Sequence, residues 1–196
     1  MDTQLFFLIN RGMANPLFDA LMPALTHQGY LLVIPLSLYA LYAGARARMP
    51  AGRTYFVTAL AAVLLSILAI PFADALGNQL KVLIARPRPC HALEGVRLLI
   101  NCSASFSLPS SHAVTSFAFA VPLSLLTRPF LPLAWRLAPL VLAAAIAFSR
   151  PYLGVHYPSD ILAGALLGGG VGGLLCWGFG KMQRLLNRDA KDARKD

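Results

Sequence analysis

Long apolar runs separated by short polar links dominate the chain. Five read as membrane spans, over roughly residues 29–44, 54–73, 111–127, 131–149 and 161–180. Each is near the roughly 20 residues a helix needs to cross a bilayer, some a little short. Residues 1–28 are more mixed. Asn15-Pro16 reads as a helix cap followed by proline at the first helical position. Phe18, Leu21, Met22 and Leu25 then share one helical face, while Arg11 and Asp19 interrupt the apolar runs. That pattern fits an amphipathic helix lying in the interface better than a span. Within 161–180, Gly164, Gly168 and Gly172 recur every four residues, as do Gly169 and Gly173. Such rows let a neighbouring helix approach closely, and packing explains them better than a phosphate loop does. The expected architecture is an all-α, polytopic membrane bundle: five spanning helices plus an N-terminal interfacial helix. It forms a single domain over 1–196, with a basic tail at 181–196.

Composition supports a membrane setting. Of 196 residues, 57% are hydrophobic and 13% charged, and the mean hydropathy is +0.63. A net charge of +9 raises the question of nucleic acid. Most basic residues lie in the links and the tail, however, and no nucleic-acid-binding motif accompanies them, so no nucleic-acid partner is expected. The start, Met1-Asp2-Thr3-Gln4, lacks a basic n-region, and no signal peptide is expected.

Position then gives orientation. One side holds Arg46, Arg48, Arg53, Arg128, Arg136, Lys181, Arg184, Arg188, Lys191, Arg194 and Lys195, eleven in all. The other holds six: Arg11, Lys81, Arg86, Arg88, Arg97 and Arg150. The positive-inside bias predicts a cytoplasmic tail and an external N-terminus in a multi-pass cell membrane protein. Trp135 and Trp177 fall near the cytoplasmic ends, as interfacial anchors do.

Three polar clusters share the external side in this topology. The first is Lys81 to Pro89, preceded by Asp74 and Asn78 on the face of Lys81, a stripe expected to point into the bundle. The second is Pro109-Ser110-Ser111-His112, at a helix start where free N–H groups favour an anion. The third runs from Ser149 to Asp160. With a helix beginning near His156, Asp160 lies one turn on, able to take the Nδ1–H and leave the Nε2 lone pair outward. Arg150 can fork two donors onto a phosphate. Taken singly, each cluster also reads as a polar cap on membrane helices, His112 included.

Together the clusters resemble the type-2 phosphatidic acid phosphatase family of membrane lipid phosphatases, whose signature soluble vanadium haloperoxidases share. The matching residues are Lys81…Arg88-Pro89, Pro109-Ser110-Ser111-His112 and Ser149-Arg150…His156…Asp160. One departure is Ser111, where the family usually has glycine; its side chain narrows the pocket. The family often has six helices, which makes residues 1–28 the candidate sixth. The resemblance implies His156 as nucleophile, forming a phosphohistidine, with Asp160 orienting it. His112 is implied as general acid and then base. Lys81, Arg88, Ser110, Ser111 and Arg150 are implied as the phosphate cradle. Arg86 reads as a surface arginine. No cofactor and no metal is required, because Asp160 is committed to His156.

The expected partners are a lipid phosphate and the bilayer; the oligomeric state is open. Polyprenyl diphosphate, as in recycling of the undecaprenyl carrier, is the favoured substrate. Phosphatidylglycerophosphate, phosphatidic acid and lipid A phosphate are alternatives, as is lipid phosphotransfer. A transporter or assembly subunit with a structural anion site is the non-enzymatic reading. Of three cysteines, Cys176 lies inside the fifth run, while Cys90 and Cys102 fall in one external loop. An oxidising compartment predicts a Cys90–Cys102 disulfide, worth about 3 kcal/mol in the chain-entropy model.

Overall fold

Ser111–Leu126 forms an apolar helix against which the longer helices assemble. The computed structural model describes residues 1–49 and 54–192, with side chains to residue 186 at the C-terminal end. Arg53, Arg194 and Lys195 lie outside the described residues, as do the side chains of Arg188 and Lys191. The helices are α1 Asp2–Phe7, α2 Pro16–Gln28, α3 Val33–Arg46, α4 Phe56–Ile84, α5 Pro89–Ala92, α6 Ser111–Leu126, α7 Leu133–Tyr152 and α8 Pro158–Asp192. An isolated bridge, Arg48 to Thr54, is the only extended pairing among the described residues. Among the described residues, four stretches are long and apolar enough to cross a membrane: Pro16–Arg46, Phe56–Ala92, Leu133–Tyr152 and Pro158–Leu186. Ser111–Leu126 is the shorter apolar helix beside them. The chain is a multi-pass membrane protein built as an all-helical bundle.

The N-terminal region divides differently from its expected form. Asn15 caps α2, its side chain accepting the Phe18 N–H at 2.9 Å, and Pro16 takes the first helical position. α2 then continues through a 3-10 turn, Gly29–Leu32, into α3. The expected break at Gly29 is therefore a change of helical pitch within one 31-residue stretch. Asp19, which argued against a span, faces Arg97 and the Tyr152 hydroxyl, so its charge is answered at the end of the bundle. Upstream, α1 and a π-helical turn, Leu8–Gly12, fold across that same end. Asn10, fully buried, donates to the carbonyls of Arg97 and Tyr152 at 2.8 Å and accepts the Arg97 N–H at 2.9 Å. Ile9 and Met22 pack with Tyr152, Leu153 and Val155.

α6 is central because its small residues allow it. Ala69 and Ala73 of α4 pack with Val114 and Ala118 of α6, against Leu167, Val171 and Leu175 of α8. A Cβ on Gly164 would sit 2.8 Å from the Ser110 carbonyl oxygen, and one on Gly172 3.0 Å from that of Ala118. This row therefore sets the α6–α8 approach. The parallel row does not: a Cβ on Gly169 would make ordinary contact with Val121, and one on Gly173 would meet nothing. Far from the α7 C-terminus, Tyr39 packs on Trp135 with ring centres 4.4 Å apart. Lys181 lies over the Trp177 ring at 5.4 Å.

Candidate active site

The end of α4, the start of α6 and the α7–α8 turn meet at one end of the bundle. α8 begins at Pro158, two residues later than expected. His156 therefore sits in the turn and Asp160 in the first helical turn. The Asp160 carboxylate reaches back to the Tyr157 N–H at 2.8 Å, bonding the residue before the helix as a capping acid does. Gly154 makes the turn possible. Its φ is +88°, and a Cβ there would lie 2.7 Å from the Arg97 carbonyl oxygen.

His156 and Asp160 are both buried. The imidazole Nδ1 lies 3.4 Å from Asp160 Oδ2, and Arg88 Nη1 lies 3.0 Å from Nε2. A guanidinium can only donate, so Nε2 is the acceptor there and Nδ1 carries the proton. The ring thus holds the tautomer with its Nε2 lone pair turned to Arg88 and away from Asp160. Burial pushes the His156 pKa down to about 4, with the Asp160 hydrogen bond opposing and the Arg88 and Arg150 charges adding to the fall. The imidazole is neutral at ordinary pH.

Asp160 is held on both oxygens. Oδ2 accepts the Ser107 hydroxyl at 2.5 Å, and Oδ1 accepts Arg86 Nη1 at 2.7 Å. Arg86 is therefore not the surface residue its sequence position suggested. It links Asp160 to Asp2, and its guanidinium lies 3.9 Å from the centre of the Tyr157 ring. Periodicity gave no sign of Asp2 or Ser107, since their partners lie far along the chain. Arg86 did carry one sign, its place two residues before Arg88 in a single Arg-Pro-Arg-Pro run.

The cradle residues gather beside this pair. Arg88 is fixed by Ser105, through Nε to the carbonyl at 2.7 Å and Nη2 to the hydroxyl at 2.9 Å. Lys81 Nζ donates to Ser111 Oγ at 2.6 Å, so the serine that replaces the family's glycine holds the lysine. Arg150 Nη1 donates to Thr26 Oγ1 at 2.6 Å, from α2. Lys81, Arg88 and Arg150 are all buried, and none pairs with a carboxylate among the described residues. Ser110 is also buried, its backbone N–H donating to the Asp160 carbonyl at 3.0 Å. Of the rest of the polar stripe, Asp74 is half-buried and Asn78 exposed, bonded to each other at 3.0 Å. Only Lys81 turns fully inward.

Ser111 and His112 form one wall of a cavity of about 400 Å³. Its remaining walls are apolar for the most part, with Tyr30 and Val33 from the first stretch, Ile70 from α4, Phe119 from α6 and Leu142 from α7. Within the Arg88–His112 loop, the structure joins Cys90 to Cys102 with Cα atoms 6.5 Å apart, and Cys176 is free and buried.

The sequence model of the PAP2 superfamily matches residues 56–184. The chain is 32% identical to a lipid A 4'-phosphatase of Bacteroides thetaiotaomicron, over 96% of this chain and 81% of that relative. It is 36% identical to an undecaprenyl-diphosphatase of Sulfolobus acidocaldarius, over 52% of this chain and 48% of that one. Its fold is similar to the crystal structure of a transmembrane PAP2-type phosphatidylglycerolphosphate phosphatase from Bacillus subtilis. The TM-score is 0.64 at 24% identity, covering 92% of this chain and 86% of that one.

Proposed function

The chain belongs to the PAP2 superfamily, and on that premise we propose that this membrane phosphatase removes phosphate from a lipid at the external face of the bilayer through a phosphohistidine on His156. The observation that carries this reading is the set of three buried cations, Lys81, Arg88 and Arg150, with no carboxylate paired to any of them among the described residues. Buried charge of one sign calls for a counter-charge, and a phosphate dianion supplies it where the nucleophile points. The incoming phosphoryl oxygen takes the Arg88 N–H from Nε2, and the freed His156 lone pair attacks phosphorus as the ester or anhydride oxygen leaves. His112 protonates that oxygen. The imidazolium that develops keeps its Nδ1–H on Asp160. Water, deprotonated by His112, then attacks the phosphorus, the P–N bond breaks, and phosphate leaves. Ser110 and the Ser111 amide join the three cations around the phosphoryl oxygens. The Cys90–Cys102 bond restrains the loop between Arg88 and His112, and alkylation with and without reductant checks it.

Polyprenyl diphosphate is the substrate this cavity favours. Its apolar walls begin at His112, and about 400 Å³ suits a stretch of one chain better than several acyl chains side by side. Lipid A phosphate is the second reading, favoured by the near full-length similarity to a lipid A 4'-phosphatase. The external placement rests on the distribution of Lys and Arg. Phosphate release by purified protein from undecaprenyl diphosphate, lipid A, phosphatidylglycerophosphate and phosphatidic acid, with and without EDTA, tests the whole. Undecaprenyl diphosphate is expected to turn over fastest, with EDTA making no difference. Release that stops in EDTA and returns with magnesium would refute the metal-independent mechanism.

A further inference from the structure

We propose that Asp2 is a positioning residue for the reaction, acting through Arg86 on the carboxylate that orients His156. The proposal rests on the reading of His156 as nucleophile. Asp160 Oδ2 already receives the Ser107 hydroxyl and the Tyr157 N–H and faces His156 Nδ1. Among the described residues, the one donor on its other oxygen is Arg86 Nη1, at 2.7 Å. The remaining terminal nitrogen of Arg86 donates to Asp2 Oδ2, also at 2.7 Å. One guanidinium thus stands between two carboxylates, and the geometry of each depends on the other.

A guanidinium offers two parallel N–H groups that match the two oxygens of one carboxylate. Freed of Asp2, Arg86 can bring both nitrogens to Asp160 and draw it from Nδ1. With Asp2 in place, one nitrogen is held elsewhere and Asp160 keeps Oδ2 for the imidazole. The anchoring of Asp2 is built for this. Its Oδ1 accepts the Ser159 N–H at 3.1 Å and its Oδ2 accepts the Ser159 hydroxyl at 2.5 Å. An acid at the first turn of α8 is favoured there by the free N–H groups. Ser159 in turn accepts Arg86 Nη1 at 2.7 Å, closing a ring of contacts. Phe6, fully buried, packs against Tyr157 with centres 5.8 Å apart, which docks α1 beneath the guanidinium. Burial acts to raise the Asp2 pKa, but hydrogen bonds from Ser159 and Arg86 hold it below the usual carboxylate value, so it is charged.

The test uses the full chain in detergent, with undecaprenyl diphosphate and dioleoyl phosphatidic acid as substrates and orthovanadate as a ligand that needs no turnover. Asp2→Asn is expected to lower kcat about tenfold with KM changed by less than about twofold, because orientation rather than binding is lost. Asp2→Glu restores most of the rate. Arg86→Gln lowers kcat by about a hundredfold, and adding Asp2→Asn to it costs nothing further, since Asp2 acts only through Arg86. Gln4→Ala, on the same exposed segment, keeps wild-type rates. Wild-type kcat in Asp2→Asn overturns the proposal, as do single effects that multiply in the double variant. Turnover by His156→Ala instead removes the nucleophile reading, and this proposal with it. Should neither lipid turn over, orthovanadate decides: affinity weakened about tenfold by Asp2→Asn supports the positioning role, and unchanged affinity overturns it.

Discussion

His156 lies between a guanidinium and a carboxylate, and that placement gives the first two predictions. His156→Ala is expected to abolish turnover and His112→Ala nearly so. The double variant should be no slower than His156→Ala alone, because the two act on one relay. Phosphate release under single-turnover conditions measures this, and wild-type rates in His156→Ala would refute the assignment. The second prediction concerns pH. The folded pKa of His156, about 4, lies below its unfolded value of about 6.5. The neutral ring therefore contributes stability that is fully present above about pH 6.5 and is lost as pH falls toward 4. The nucleophile follows the same sign, so the acid limb of kcat/KM should fall near pH 4 rather than near about 6.5. A nucleophile limb at about 6.5 would mean that burial does not govern the ring. At this scale the meeting of the segments that carry His156, Asp160, His112, Lys81, Arg88 and Arg150 was legible in the sequence, because short motifs carry them. Asp2, Thr26 and Ser107 were not. Asp2 and Ser159 are 157 positions apart, and no local pattern encodes such a contact.

The apolar runs were legible at the level of elements, since twenty uncharged residues leave the chain few alternatives to a helix. The junction at residues 28–33 was not. A 3-10 turn changes pitch without altering composition, so α2 and α3 read as separate objects. Nor could a glycine row announce which side of α8 it packed. The structure separates the two rows and gives a contrast to measure. A Cβ on Gly168 would lie 2.0 Å from the Val114 carbonyl oxygen, whereas one on Gly170 meets nothing. Gly168→Ala is expected to destabilise the bundle by about 1–3 kcal/mol, the usual range for overpacking, and to lower activity by shifting the start of α6. Gly170→Ala should leave both unchanged or slightly improved, because alanine favours the helix. Thermal unfolding in detergent with a parallel activity assay reads both. Equal effects from the two substitutions would show that the α6–α8 approach is not set by backbone contact.

For the molecule as a whole, the excess of Lys and Arg on one side predicts an orientation as well as a bundle. Impermeant labels are expected to reach cysteines placed within residues 90–108 from outside only, and one at residue 196 from the cytoplasm only. Labelling of both from one face would overturn the five-crossing topology. The cavity beside His112 has a further consequence. Its walls belong to membrane helices, and on the proposed function a lipid is expected to arrive by diffusing within the bilayer rather than from water. What the enzyme then senses is the crowding of substrate in two dimensions. Diluting the substrate lipid with inert detergent, at constant total substrate, should slow the reaction in proportion to its surface mole fraction. Diluting the whole mixed micelle with buffer, once enzyme is bound, should leave the rate per enzyme unchanged. A rate that tracked bulk concentration alone would place the entrance on the aqueous side.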